Sequence, residues 1–157
     1  MYIESFTNAA RIGMPAVLLK HNTAYDYFIF NALMEFDAKG LILSGDTAVN
    51  QTDLNTPAPD VVAFTQEIVA VFVIEITRSS DVRLMKRKCI RYYNEYPDIQ
   101  EIFVFDYQKQ ILYAMGETPD EWFSSINNII YSDFLEFPVI DYFCHPRSFM
   151  QIHNNSN

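Results

Sequence analysis

From Ile68 to Ile76 the chain is apolar at every position but one, and the exception is Glu75. An extended segment that is apolar on both faces predicts a central strand covered from both sides. An ionised carboxylate set into such a strand is costly unless a cation neutralises it. Asp60 follows Pro59 and opens a second short apolar segment, Val61 to Phe64, so it is the candidate partner carboxylate. Mg²⁺ takes one or two carboxylates and keeps several waters, which suits such a pair at a sheet edge. The plainer alternative makes Asp60 a turn residue and pairs Glu75 with Arg78 or Lys88.

The 157 residues suit one domain with a real core, expected over 1–150, with 151–157 as a frayed tail. Half of the residues are hydrophobic, which excludes a disordered chain. No apolar run reaches the roughly 18 residues of a membrane span, and Met1 to Pro15 has no basic segment leading into an apolar one. The expectation is a cytoplasmic protein away from membranes. Cys89 and Cys144, only two, suggest reduced structural thiols and no disulfide framework.

Charge is distributed unevenly. The net charge of −9 argues against phosphate binding, yet six of the eleven cations fall between Arg78 and Arg91. With Asp81 alone against them, that segment carries +5 and leaves −14 to the rest of the chain. A local basic stripe on an acidic body can hold a phosphate backbone and discourage indiscriminate binding; the alternative is a solvated helix face.

Thr23 is placed to cap a helix reaching about Lys39, with Gly40 as its stop. Tyr25, Phe28, Ile29, Ala32, Leu33 and Phe36 make that helix apolar around much of its circumference, enough to meet a sheet and a second subunit. Leu41 to Leu43 reads as a strand continuing at Thr47 to Val49, and Asn50 to Pro59 as the loop that delivers Asp60. Val61 to Phe64 and Ile68 to Thr77 are expected as neighbouring strands. A helix capped by Ser79, Ser80 or Asp81 and ending at Tyr96-Pro97 then leads to strands at Ile102 to Phe105 and Ile111 to Met115. Strand, helix, strand is a crossover unit that makes Ile68 to Thr77 and Ile102 to Phe105 parallel neighbours.

On a wheel of roughly 100° per residue, Met85, Cys89, Tyr92 and Tyr93 share the face toward the sheet. Arg83, Arg87 and Arg91 stack on another face. Lys88 falls at the border of the buried arc, where its stem can lie on apolar surface while its ammonium approaches Glu75.

Taken in order, several of these pieces resemble the PD-(D/E)XK nuclease superfamily, and within it the Uma-type family of restriction endonucleases. They are His21 with Tyr25, Ile29 and Leu33; Pro59-Asp60-Val61-Val62; Val71 to Thr77 followed by Ser79-Ser80; Lys88 with Tyr92; Glu101 to Asp106; and Tyr131 to Phe143. The resemblance implies an α/β fold, a restriction-endonuclease-like mixed β-sheet flanked by helices. It also implies a Mg²⁺ or Mn²⁺ site formed by Asp60, Glu75 and the carbonyl of Ile76, with Lys88 as the catalytic lysine and Lys86 as the second choice. DNA is the implied partner, contacted through Arg83, Arg87, Arg91 and Lys86. The chain departs from the pattern in carrying Thr77 where the superfamily has a lysine two residues after the glutamate, and in lacking an acidic Leu-Ile-Asp-Gly-like segment before the first helix.

The competing reading is a nuclease-fold protein without catalysis that binds nucleic acid or another subunit. Elsewhere the motifs are thin. His21 reads as a capping or packing residue, and Cys144-His145 lacks a second pair at zinc spacing. The four glycines form no phosphate-cradling loop. Trp122 and the aromatics from Tyr131 to Phe143 point to packing or a homodimer surface.

Overall fold

The computed structural model describes residues 1–5, 19–53 and 55–154. Its centre is a six-stranded sheet ordered β2 (Ile42–Gly45), β3 (Val61–Phe64), β4 (Ala70–Thr77), β5 (Glu101–Asp106), β6 (Ile111–Met115) and β7 (Trp122–Ser124). Neighbours are antiparallel except β4 and β5, which run parallel because the helix α2 (Val82–Glu95) carries the chain back between them. The strand β1 (Tyr2–Ser5) pairs antiparallel with β8 (Asn128–Tyr131) in a small separate sheet.

Every residue of β4 and β5 is buried, as the two-faced apolar run requires. Alternation along β4 sorts its side chains into two layers. Phe72, Ile74 and Ile76 join the core beneath α1 (His21–Ala38), with Phe28, Phe36, Phe103 and Phe105. Val73 joins the core beneath α2, with Cys89, Tyr92, Ile102 and Val104. Ring contacts tighten the first layer: Phe72 lies 5.0 Å from Phe36 and 5.3 Å from Phe103, and Phe105 stacks on Phe143 at 3.8 Å. The closing segment is tied to the sheet by Glu101, whose buried carboxylate accepts from the Ser132 hydroxyl and the Asp133 amide.

Several expectations require correction. Helix α1 begins at His21, two residues before Thr23, and Lys20 precedes it without a side-chain cap. Packing of Ala24, Phe28, Ala32 and Phe36 on the sheet recruits this extra half-turn, overriding the capping preference. Gly40 does stop the helix, at φ 71°. Leu33, expected on a packed face, is exposed together with Phe30 and Met34. Strand β2 runs to Gly45 and does not resume at Thr47 to Val49, because Asp46 turns away at φ 48°. At Gly45 the Tyr25 hydroxyl packs against the backbone so closely that a Cβ would overlap it.

Strand β4 starts at Ala70, since Ile68, at φ 63°, belongs to the turn joining it to β3. A 3₁₀ turn at Ser79–Asp81 leads into α2, where Asp81 does not cap but pairs with Arg78 at 2.7 Å. Tyr93 is exposed, while Met85, Cys89 and Tyr92 do meet the sheet. Helix α3 (Pro146–Asn154) was not expected; it keeps residues 151–154 helical through Phe149, which packs into the first core. The remaining tail, 155–157, and the stretch 6–15 read for a leader lie outside the described residues. Among those described, no helix is long and apolar enough to cross a membrane, and both cysteines are free and buried.

Candidate active site

Alternation along β4 turns Glu75 toward α2, between the positions of Val73 and Thr77, and leaves it 2% exposed. Two groups from α2, one turn apart, meet one oxygen of it: Lys88 Nζ lies 2.7 Å from Oε1 and the Tyr92 hydroxyl donates to the same atom at 2.5 Å. Both come from the border and centre of the helix face that packs on the sheet. Both contacts converge on Oε1 of Glu75.

Burial raises the pKa of Glu75; Lys88 and the Tyr92 hydrogen bond oppose the rise, and the charge of Asp60 adds to it. The Tyr92 hydroxyl is pushed far upward by burial and by Glu75, so it serves only as a donor. Lys88 also donates toward the Ala58 carbonyl at 3.4 Å, and its stem passes the Tyr92 ring with the ammonium 5.9 Å from the centroid.

Asp60 sits at a bend just before β3. Pairing of Val61 with Ile74 brings it level with Glu75 on the adjacent strand, and its charge is felt there. Its backbone carbonyl accepts from Asp46 N–H at 3.2 Å. Its Oδ2 accepts from Ile76 N–H at 2.6 Å, and its Oδ1 lies 3.0 Å from His21 Nε2. The two carboxylates therefore occupy one rim of the sheet, Asp60 approached from α1 and Glu75 from α2.

Among the described residues, no three His, Cys, Asp or Glu side chains gather into a metal site. Two carboxylates with backbone oxygen and water are instead a hard, sparse donor set, the kind that fits Mg²⁺ or Mn²⁺ and not Zn²⁺. In extended backbone the N–H and C=O of one residue leave on the same edge, so the Ile76 carbonyl is directed to the Asp60 side.

The two candidate lysines go to different places. Two positions on a helix are about 200° apart, and Lys86 lies on the flank away from Glu75. Its ammonium sits 4.0 Å from the Tyr113 ring centroid and 5.0 Å from that of Trp122, and burial lowers its pKa. Arg83, Arg87 and Arg91 are exposed, as expected of the stripe, but Arg91 is held by both oxygens of Glu95 at 2.9 Å. The contact of His21 with Asp60 spans 39 residues and has no local signature, which is why the sequence reads this histidine as a capping or packing residue. The role of Tyr92 had a signal, since it stands four residues after Lys88 on a helix beside a buried acid.

No family model and no curated protein sequence matches this chain. Among solved structures, the fold is similar to that of a candidate nuclease belonging to DUF820 from Anabaena variabilis, with a TM-score of 0.58 and 13% identity over 88% of this chain and 86% of that one. At that identity the likeness speaks for architecture. The chain has a mixed α/β fold of the restriction-endonuclease-like kind, a six-stranded mixed sheet flanked by helices.

Proposed function

We propose that this protein is a metal-dependent endonuclease of the PD-(D/E)XK type, related to the Uma-type family, that hydrolyses phosphodiester bonds of DNA in the cytoplasm. The observation that carries the reading is the buried Glu75, joined to Lys88 across the rim of the sheet and level with Asp60. Asp60, Glu75 and the Ile76 carbonyl would hold Mg²⁺ or Mn²⁺. Such an ion supplies charge neutralisation at the scissile phosphate and acidifies a water. Lys88 would orient the attacking water or meet the negative charge of the pentavalent transition state, a role supported by its ammonium lying 2.7 Å from Glu75. Tyr92 holds Glu75 in place. Arg83, Arg87 and Lys86 take the flanking phosphates without reading bases, and Arg91 contributes less because Glu95 already engages it.

A noncatalytic nuclease-fold protein is the second reading, favoured by Thr77, which stands where the superfamily places its lysine and is buried. Plasmid nicking with Mg²⁺ or Mn²⁺ separates the two. Cleavage that EDTA abolishes, and that Asp60→Ala, Glu75→Gln and Lys88→Ala each reduce by roughly a hundredfold or more, is expected for the nuclease. Nicking that survives all three substitutions, or no nicking by a wild-type protein that still binds DNA, removes the catalytic reading.

A further inference from the structure

Asp60 is held at both oxygens, and the two holds come from different parts of the fold. The Ile76 amide fixes Oδ2 from within β4, and the His21 ring fixes Oδ1 from the first residue of α1. A carboxylate only accepts, so His21 Nε2 carries the hydrogen of this bond. The ring is itself placed: it meets Tyr107 edge-on, with centroids 6.2 Å apart and planes at 89°, and Nδ1 lies 3.2 Å from the side chain of Asn22. Behind it, the buried stripe Ala24, Phe28, Ala32 and Phe36 fastens α1 to the sheet. Each carboxylate oxygen keeps a second lone pair after accepting one hydrogen bond, so both holds leave Asp60 able to bind a cation while preventing its plane from turning.

With 41% of its side chain exposed, His21 is poorly placed to support the fold. We propose that His21 is a positioning residue for the metal site: it orients the Asp60 carboxylate toward the rim through the Nε2 to Oδ1 bond. The inference rests on the metal-site reading above and assigns to α1 a part in it. Hydrogen-bond partners of ligating carboxylates typically govern affinity by roughly 10–100-fold.

The test is Mn²⁺ binding to the whole protein, by electron paramagnetic resonance or calorimetry, in wild type, Asp60→Ala, His21→Ala and His21→Gln, with melting temperatures recorded alongside. His21→Ala is expected to weaken Mn²⁺ binding by roughly 10–100-fold with little change in melting. His21→Gln, whose amide nitrogen can donate to the same oxygen, is expected to recover most of the loss, which a merely structural role would not predict. If Asp60→Ala loses the ion while His21→Ala keeps wild-type affinity, the positioning role is overturned and the metal site stands. Equal losses in the alanine and glutamine variants also overturn it. If wild type binds no Mn²⁺ at millimolar concentration, the metal-site reading fails and takes this inference with it.

Discussion

The buried Glu75 and its Lys88 partner, 2.7 Å apart, affect stability as well as the proposed site. Burial favours the protonated form of Glu75, and the Lys88 ammonium with the Tyr92 hydroxyl pulls it back toward ionisation. Because the folded carboxyl holds its proton more tightly than the unfolded one, the stability it contributes is fully present below the ordinary carboxylate range. That stability is lost as pH rises through the raised folded value. Lys88→Met removes the principal influence opposing the rise, so the window extends further upward. In metal-free buffer, urea unfolding should place Lys88→Met near wild type at about pH 4.5, at the ordinary value, and roughly 1–3 kcal/mol below it at neutral pH. The loss is smaller than for a sealed pair because the Lys88 side chain is 33% exposed. Adding Glu75→Gln should flatten the difference; a deficit independent of pH would mean that Glu75 is not its source.

Among the elements, the β3 to β4 connection stores strain that the site does not use. Ile68 adopts φ 63°, a left-handed conformation that costs a side-chain-bearing residue roughly 1–2 kcal/mol, with the Thr65 carbonyl accepting its amide at 3.0 Å. Ile68 is 42% exposed, so only part of its burial would be forfeited on removal. Ile68→Gly should therefore change stability by less than about 1 kcal/mol, since relief of the backbone is offset by lost burial and by the greater freedom of glycine in the unfolded chain, read as a urea midpoint close to wild type with an unchanged slope. A lower midpoint would show that apolar contacts of Ile68 outweigh its backbone cost. The same turn marks where periodicity misleads. Ile68 and Val69 extend the apolar run by composition, yet the strand begins only at Ala70, because backbone conformation and not hydropathy sets the boundary. Strands β4 and β5 were legible because their burial is complete, and β6 because its apolar residues run unbroken with burial alternating over most of its length. Strands β1, β7 and β8 are three or four residues long with half-wet faces, and α3 is anchored by one buried residue, Phe149, so their periodic signal is too short to read. The site divides in the same way. Asp60, Glu75 and Lys88 stand out as charges where apolar residues belong, whereas His21 acquires meaning only when α1 lies against the rim.

The whole molecule is an acidic body carrying one basic helix, and two of that segment's arginines are already engaged, Arg78 by Asp81 and Arg91 by Glu95. Few cations are left for phosphates, so the proposed DNA binding should be weak and only shallowly dependent on salt, each phosphate contact contributing about 0.9 to the slope of log K against log salt. Arg83→Ala combined with Arg87→Ala should lower that slope by roughly two and weaken binding on every sequence alike; Arg91→Ala should change both far less. A fluorescence-anisotropy titration across salt concentrations distinguishes these, and equal effects from all three arginines would contradict the pairing of Arg91. The sheet, finally, is a septum through which the proposed site is assembled: His21 reaches Asp60 from one helical layer, and Lys88 with Tyr92 reaches Glu75 from the other. Neither layer owns the centre, so occupancy by an ion would report the registry of both at once, and a lesion that lets either helix drift would silence the protein well before it melts.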